Sequence, residues 1–460
     1  MSAGSRTSRL DTFVSNPRRA LWALAVPVML GMALQTLYLL ADMFFVGQLS
    51  ASALAALSFN MPLLFLGLGI VFGLGTGVTA VVARFIGAKD KRLADSSAEH
   101  AVALGLVLSF LFTLIAWEWG RGLLATLGVP PELMPLAWNY FFVLSTGYLF
   151  VVCSVFFRSI LSGEGDMKTP MMIQGAGTLL NIVLDPIFIF TLGLGVKGAA
   201  LATVLSQALT TAIFVYLLFF TRHSYVTFDP RDFRLSGSIV AGIFRVGAPA
   251  SFSFVIMALG AAVFNRILIE FSADTVAAYQ VGARIDQIYL LPVISLAASL
   301  VTLVGMFYGA RRGDLVNEIV TYAVKRSVAI ALVMGTLFFV FAPQLVGLFS
   351  DTTSIQRTGA VYLRIGVFAY PFIAVIILTG RILQGMGRGL PLLLLSLLRV
   401  VLISGPLAYL FVFHFHKPVE WVWFSIVIGM AVTGTIALAW LRKGLAGIAK
   451  RRAEELTATG

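Results

Sequence analysis

The sequence predicts an all-α polytopic membrane protein, with twelve transmembrane helices in two six-helix lobes related by a pseudo-twofold axis along the membrane normal. Three observations lead to this fold class: the composition, the length of the apolar runs and an internal repeat. Hydrophobic residues make up 59% of the 460 residues and charged residues only 12%. Soluble domains are about half apolar and about a quarter charged. The chain is therefore too apolar to be a soluble domain.

Apolar runs of membrane-spanning length recur along the whole chain. A span needs about 20 residues at about 1.5 Å each to cross a hydrocarbon core of about 30 Å. The predicted spans cover residues 20–46, 54–83, 98–119, 135–158, 170–192, 198–220, 242–268, 276–307, 319–342, 361–381, 390–413 and 419–441.

The basic residues indicate the topology. When the loops are assigned to alternate sides, 25 of the 33 Lys and Arg residues fall on one side, five on the other and three inside spans. The positive side of a membrane protein is the cytoplasmic side, so both termini are predicted to be cytoplasmic in a multi-pass protein of the cell (inner) membrane. This topology also accounts for the net charge of +12 without a nucleic-acid partner. The single Cys153 excludes an intramolecular disulfide and a thiolate metal cluster, and no structural metal is expected.

An internal repeat relates the two halves. A shift of 222 residues pairs Pro27 with Pro249, Tyr140 with Tyr362, and Tyr148 with Tyr370. Because each half holds an even number of spans, both enter the membrane from the same side, which is the parallel-repeat arrangement of some transporters. Duplication retained only for packing is the alternative. The predicted domains are an N-lobe at 1–220, a cytoplasmic linker at 221–241, a C-lobe at 242–442 and a basic cytoplasmic tail at 443–460.

Two acids lie deep within spans of the first half, Asp42 and Asp185. An ionised Asp at a helix centre costs about 2.5 to 3.5 kcal/mol on insertion scales, so both should face protein or water. Counted from the cytoplasmic ends, they lie about 33 and 22 Å into their helices, which places both in the outer half of the membrane. Each acid belongs to a polar stripe with spacing i, i+3, i+7. The stripes are Gln35, Tyr38 and Asp42, and Thr178, Asn181 and Asp185.

The two carboxylates predict an ion-coupling site. In a low dielectric they cannot both stay ionised without a cation, so the pair holds a shared proton or binds a small cation such as Na+. The alternative is that Tyr38, Asn181 and backbone donors satisfy both acids, which then only pin helices together. Pro27, which removes a backbone donor within the first span, predicts a bend.

The second half lacks these stripes, since Phe264 and Leu407 stand at the repeat positions of the two acids. Coupling chemistry is therefore expected in the first lobe only. The eighth predicted span instead carries Arg284 and Asp286, which at i, i+2 do not face each other along a helix. A network with other helices and a substrate-binding role both remain open for them.

These residues resemble those of the multidrug and toxic compound extrusion (MATE) transporters, and within them the DinF-like prokaryotic branch. The resemblance covers nearly the whole chain. It rests on Pro27, Tyr38-x-x-x-Asp42, Ala55-Ala56, Gly87, Gly163-x-Gly165 and Asn181-x-x-x-Asp185-Pro186.

The resemblance implies a two-lobed antiporter that exports amphipathic, often cationic, drug-like compounds against an inward flow of protons or Na+ by alternating access. It assigns the N-lobe site to residues matching Asp42 and Asp185, supported by Tyr38, Tyr140, Asn181 and Thr203, and links a bend at Pro27 to protonation. The Na+-coupled NorM-like branch has acids in the C-lobe, whereas here the seventh span, Ser251–Ile269, and the tenth, Val361–Arg381, contain none. This departure argues against a C-lobe Na+ site.

Further expectations are a monomer in contact with membrane lipid, without an organic cofactor and without enzymatic activity. Two alternatives use the same sequence features. A flippase for lipid-linked saccharides would need cations in its cavity, for which only Arg266, Arg284 and Arg399 lie inside spans. An intramembrane aspartyl protease would use two membrane Asp residues, but Asp185 lacks the Gly-x-Gly that usually precedes such an Asp.

Overall fold

The computed structural model describes residues 9–221, 223–229, 231 and 233–459, with the backbone alone at residues 43, 51 and 448–459. The described residues are almost entirely helical, and no strand occurs among them. The helices are Leu10–Ser15, Pro17–Gly47, Ala51–Gly87, Lys91–Thr126, Met134–Thr146, Tyr148–Gly163, Lys168–Thr191, Gly195–Phe220, Gly237–Leu268, Ala273–Gly309, Gly313–Val340, Ala342–Gly347, Thr353–Gly385, Leu390–His414 and Glu420–Thr459. The predicted all-α fold is confirmed.

The number of membrane spans also agrees with the prediction. Within the described residues, eleven helices are long and apolar enough to cross a membrane. The pair Met134–Thr146 and Tyr148–Gly163, bent by 48°, forms a twelfth span when counted as one. Numbered along the chain, this pair is the fourth span, and the short helices Leu10–Ser15 and Ala342–Gly347 are not spans.

The bend in the fourth span has a local cause. The hydroxyl groups of Ser145 and Thr146 donate hydrogen bonds of 2.7 and 2.6 Å to backbone carbonyls of the preceding turn. Such side-chain bonds compete with the helical ladder and bend helices. Gly147 lies at the break, where a Cβ atom would lie 2.4 Å from Val204 of the sixth span. The close packing of the sixth span at this break therefore requires glycine.

The first and seventh spans each contain an internal proline. Both helices, Pro17–Gly47 and Gly237–Leu268, continue through Pro27 and Pro249 without a break. A membrane helix tolerates the lost donor because neighbouring groups satisfy the freed carbonyl. The bend at Pro27 stays a prediction.

The chain divides into two compact units. The first unit contains Val26–Gly247 together with the described residues before Thr12, and the second contains Thr12–Ala25 and Ala248–Gly460. The first and seventh spans therefore contribute residues to both units, and the change of unit falls next to each internal proline. The functional lobes at 1–220 and 242–442 stay a prediction.

The connection between the sixth and seventh spans is held to the helices of the first unit by four carboxylates. The carboxylate groups of Asp95, Glu99 and Glu164 accept hydrogen bonds of 2.8 to 3.0 Å from its backbone. The donors are the amide groups of Tyr225, Val226, Thr227 and Asp229. The described part of this connection is thus a fixed part of the first unit, with these backbone donors satisfied.

The fourth carboxylate, Asp166, joins three segments of the first unit. Its Oδ2 atom accepts hydrogen bonds from the Arg9 guanidinium at 3.0 Å and the Thr169 hydroxyl at 2.8 Å, and lies 2.8 Å from His223 Nε2. The side chain is only 4% exposed. Burial by itself would raise the pKa of Asp166, but the hydrogen bonds from Arg9 and Thr169 and the charge of Arg9 outweigh it and lower the pKa from 3.8 to about 2. The folded state therefore favours the ionised carboxylate.

Asp166→Asn should lower the free energy of unfolding at pH 7 by about 2 to 3 kcal/mol. Because the folded pKa lies below the unfolded value, the stabilisation is complete above about pH 4 and is lost as the pH falls from about 4 to about 2. Unfolding temperatures of the detergent-solubilised variant and wild type should therefore differ at pH 7 and converge at low pH. The control is Asp351→Asn, which changes an exposed residue that has no hydrogen bond among the described residues. An equal loss of stability at pH 7 and at low pH would show that the ionised carboxylate is not the source of the stabilisation.

Candidate ion-coupling site

Three spans of the first unit place the predicted polar residues. Asp42 lies in the first span, Asn181 and Asp185 in the fifth, and Thr203 in the sixth. Asp42 is 3% exposed and Asp185 is fully buried. An ionised carboxylate buried within a membrane span is energetically unfavourable. The groups around it therefore determine which charge state and which ligand the site can accommodate.

Hydrogen bonds connect these three spans. The hydroxyl groups of Tyr38 and Thr203 share a hydrogen bond of 3.2 Å. The Asn181 amide donates to Asp185 Oδ1 at 3.3 Å and to the Thr203 hydroxyl at 3.5 Å. Thr203 is therefore the residue through which the first and fifth spans are joined.

Asp42 belongs to the same site by its electrostatic proximity to these residues, because no hydrogen bond joins it to them among the described residues. Asp42 lies within electrostatic range of Asp185, and Tyr38 lies within electrostatic range of both acids. Tyr140 of the fourth span, which is 3% exposed, lies within electrostatic range of both acids and of Tyr38. The structure thus brings together Asp42, Asp185, Tyr38, Asn181, Tyr140 and Thr203, the six residues predicted for coupling.

Three oxygen atoms of the site are buried without a hydrogen-bond partner among the described residues. They are Asp42 Oδ1, Asn181 Oδ1 and Asp185 Oδ2. An unpaired buried polar atom is unfavourable. All three are acceptors, and a proton on a carboxylate or a bound cation can satisfy them. Oxygen atoms of carboxylates and amides are also the ligands that hard cations prefer.

Apolar side chains pack beside the site. Tyr140 belongs to a buried cluster to which the second, fourth and sixth spans contribute, and Val46 of the first span packs in the same cluster. The cluster lowers the local dielectric, which strengthens the interaction between charges at the site.

Two predicted residues of the polar stripes lie outside this network. Gln35 is exposed, and Thr178 is 8% exposed. Neither has a hydrogen bond within the described part of the chain. Spacing along a helix placed them on the same faces as the acids, but the contacts form only toward the Asp42 and Asp185 ends of the stripes.

Asp286 of the eighth span has partners that sequence reasoning missed. Its two carboxylate oxygens accept hydrogen bonds from the hydroxyl groups of Tyr362, at 2.6 Å, and Tyr370, at 2.5 Å. Tyr289 stacks on Tyr370, with ring centroids 4.1 Å apart, and donates to its carbonyl at 2.6 Å. Arg284, by contrast, is exposed. The repeat offered a signal, because it pairs these two tyrosines of the tenth span with Tyr140 and Tyr148.

Within the described residues, twelve apolar spans, with the bent pair counted as one, define a polytopic membrane protein whose first unit holds a buried pair of acids. The chain belongs to the MatE family, whose sequence model matches residues 27–187 and 249–410. The two matches begin 222 residues apart, which is the offset of the internal repeat.

Known relatives cover nearly the whole chain. The FAD transporter of Shewanella oneidensis is 28% identical over 402 residues, which cover 85% of this chain and 87% of that protein. The probable multidrug resistance protein NorM of Thermotoga maritima is 25% identical over 439 residues, which cover 93% and 92%. A crystal structure described as MATE in the bent conformation is 34% identical, with a TM-score of 0.93 over 97% of this chain and 99% of that chain. The predicted twelve-helix MATE fold is confirmed, and the DinF-like branch stays a prediction.

Proposed function

We propose that this MATE transporter is a secondary active antiporter that exports amphipathic, often cationic compounds in exchange for protons. Coupling takes place at the acid pair of the first unit, Asp42 and Asp185. The observation that carries the proposal is this pair of buried carboxylates within electrostatic range of each other, in which Asp42 Oδ1 and Asp185 Oδ2 lack hydrogen-bond partners among the described residues.

Protonation is coupled to transport because an ionised carboxylate pair is energetically unfavourable in apolar surroundings. When water reaches the pair from the outside, a proton neutralises one carboxylate. The pair then carries less charge, so the site can close within its apolar surroundings at a lower energetic cost. When the site opens to the cytoplasm, the proton leaves and the charged pair again needs a cation. Each charge that crosses 100 mV supplies about 2.3 kcal/mol. Alternating access to one site thus converts the proton gradient into outward transport of the solute.

The hydroxyl and amide groups near the pair have supporting roles in this proposal. Tyr38, Thr203 and Asn181 form hydrogen bonds that fix the first, fifth and sixth spans around the acids. Since the same oxygen atoms could hold Na+, Na+ is the alternative coupling ion. Pro27 is the position at which the first span would bend as the site changes its accessibility.

The substrate class is proposed from the family and its named relatives. One relative is named an FAD transporter and another a probable multidrug resistance protein, so related chains differ in what they carry. For this chain we propose drug-like amphipathic solutes, transport by a monomer in the cell membrane, and both termini in the cytoplasm. The chemistry requires no organic cofactor and no catalytic step.

The proposal is tested by transport of a fluorescent organic cation in proteoliposomes. A pH gradient and a Na+ gradient are imposed separately, with the membrane potential clamped by K+ and valinomycin, and protein-free liposomes are the control. A pH gradient alone should drive uphill transport of the dye. Transport driven by Na+ but not by pH would contradict proton coupling, and transport that never exceeds equilibration would contradict secondary active export.

A further inference from the structure

Arg399 is a basic residue deep within the eleventh span, Leu390–His414, about 14 Å along the helix from its first residue. Its side chain is half-buried. A charged Arg at this depth is energetically unfavourable, so such residues face protein or a water-filled path and are normally paired. Arg399 also lies in the π-helical stretch Leu398–Ser404, and π-helical turns occur frequently at functional sites.

The described residues do not provide Arg399 with an ionic partner. Its guanidinium donates to the sulfur of Met430 at 3.6 Å, and a thioether is only a weak acceptor. No carboxylate lies within ion-pair distance of it in the described part of the chain. The acid of the neighbouring cluster, Asp286, already accepts a hydrogen bond at each oxygen. The other N–H donors of the guanidinium therefore have no acceptor among the described residues.

A second donor without an acceptor among the described residues is connected to Arg399 through Tyr279. Trp423 of the twelfth span is 1% exposed, and its indole Nε1 has no hydrogen-bond partner among the described residues. Its ring stacks on Tyr279 of the eighth span, with ring centroids 5.9 Å apart and an interplanar angle of 11°, and Tyr279 lies within electrostatic range of Arg399. Trp423 and Met430 are seven residues apart and so share a helix face. We call Tyr279, Arg399 and Trp423 the donor patch.

We propose that the donor patch binds a carboxylate or phosphate group of an amphipathic aromatic solute that the transporter exports. The planar guanidinium fork matches these anions in charge and geometry, and the indole N–H supplies one further donor. Nearby aromatic rings would contact the apolar part of the solute. This inference rests on the proposed export function and specifies its substrates, which would include zwitterions and anions as well as cations.

The test uses two dyes that differ in one group. Rhodamine B carries a carboxylate beside its cationic xanthene, whereas its ethyl ester carries the cation alone. Binding of both is measured by fluorescence anisotropy at pH 7 with the full-length transporter in nanodiscs of zwitterionic lipid. Arg399→Gln should weaken binding of the acid by about tenfold or more, the loss expected for hydrogen bonds to a charged group. It should leave binding of the ester unchanged.

Two further variants and one control keep the test decisive. Arg399→Lys should restore part of the affinity for the acid, and Trp423→Phe should weaken it by about fivefold, since one neutral donor is lost. The control is Arg266→Gln, which removes an exposed guanidinium paired with Glu270 near the end of the seventh span. Equal weakening of both dyes by Arg399→Gln, or no weakening of either, would overturn the proposal.

A lipid headgroup could supply the same anion. The binding assay is therefore repeated in nanodiscs that contain phosphatidylglycerol. Competition with the acid dye in wild type but not in Arg399→Gln would support an anion-binding patch that lipid also occupies. Because binding is measured without a gradient, a failure of proton coupling would leave these results unchanged, and loss of the anion preference would leave proton-driven transport of the ester intact.

Discussion

Replacing Asp42 with asparagine should reduce the dye concentration ratio that a proton-motive force of 100 mV can sustain by about 50-fold. This figure follows because one coupled charge supplies about 2.3 kcal/mol per 100 mV and each 1.4 kcal/mol corresponds to about a factor of ten. Asparagine keeps the shape of the side chain and its oxygen acceptor but cannot exchange a proton. Downhill exchange of dye without a gradient should continue, since the substrate pathway is unchanged. The measurement is gradient-driven dye transport in proteoliposomes.

The partner acid provides a second variant for this prediction. If Asp42 and Asp185 act as one unit, the double variant Asp42→Asn/Asp185→Asn should lose little more than either single variant, because residues in one network are not additive. Asp42→Glu should retain part of the coupling. The matched control is Glu132→Gln, an exposed acid in a loop of the first unit. Gradient-driven transport that survives Asp42→Asn, or single losses that multiply in the double variant, would contradict a shared site.

Asp286→Leu should lower the free energy of unfolding by about 2 to 6 kcal/mol. The substitution leaves the hydroxyl groups of Tyr362 and Tyr370 without their acceptor, and each buried unsatisfied group costs about 1 to 3 kcal/mol. Both tyrosines are well buried, at 7% and 1% exposed, so water cannot replace the carboxylate at low cost. The measurement is chemical or thermal unfolding in detergent. Asp286→Asn, which keeps one acceptor, should lose less.

A rescue variant distinguishes orphaned hydroxyl groups from simple loss of packing. Combining Asp286→Leu with Tyr362→Phe and Tyr370→Phe removes the carboxylate acceptor together with both of its hydroxyl donors. It should recover most of the lost stability, because replacing both partners of a buried hydrogen bond by apolar groups is nearly neutral. A triple variant as unstable as Asp286→Leu would show that packing, rather than hydrogen bonding, is lost. Proton-driven transport of a cationic dye should persist in the rescued variant, since coupling is assigned to Asp42 and Asp185.

The location of the candidate site could be predicted from sequence because it depends on local properties. Depth in the membrane follows from counting residues at a fixed rise, which placed Asp42 and Asp185 at compatible heights. Helical spacing then put Tyr38 beside one acid and Asn181 beside the other. Gln35 lies on the same helix face but is exposed and has no hydrogen bond among the described residues, because a shared face does not ensure that a neighbouring helix reaches that end of the stripe. Its role as a substrate or network residue stays a prediction.

Spacing along one helix could not predict hydrogen-bond partners that lie in distant spans. Asp286 is 76 residues from Tyr362 and 84 from Tyr370, and the donors could have come from any of several helices. Spacing along the eighth span shows only that Arg284 is not a neighbour on the same face. The carboxylate's environment depends on how the tenth span is rotated about its own axis, which its packing determines.

The sequence by itself determined the membrane class, the twelve spans, the repeat of 222 residues and the two acids of the first half, because hydropathy, spacing and duplication are properties of the chain in order. Only the tertiary structure decided that Thr203 joins the first and fifth spans and that Asp166 contacts both Arg9 and His223. It also decided that, among the described residues, Arg399 has only a weak sulfur acceptor and the Trp423 indole has no acceptor. The physical reason is that hydrogen bonding and charge pairing between spans require a particular rotation and separation of neighbouring helices. These depend on the packing of many side chains at once, and no single stretch of sequence specifies them.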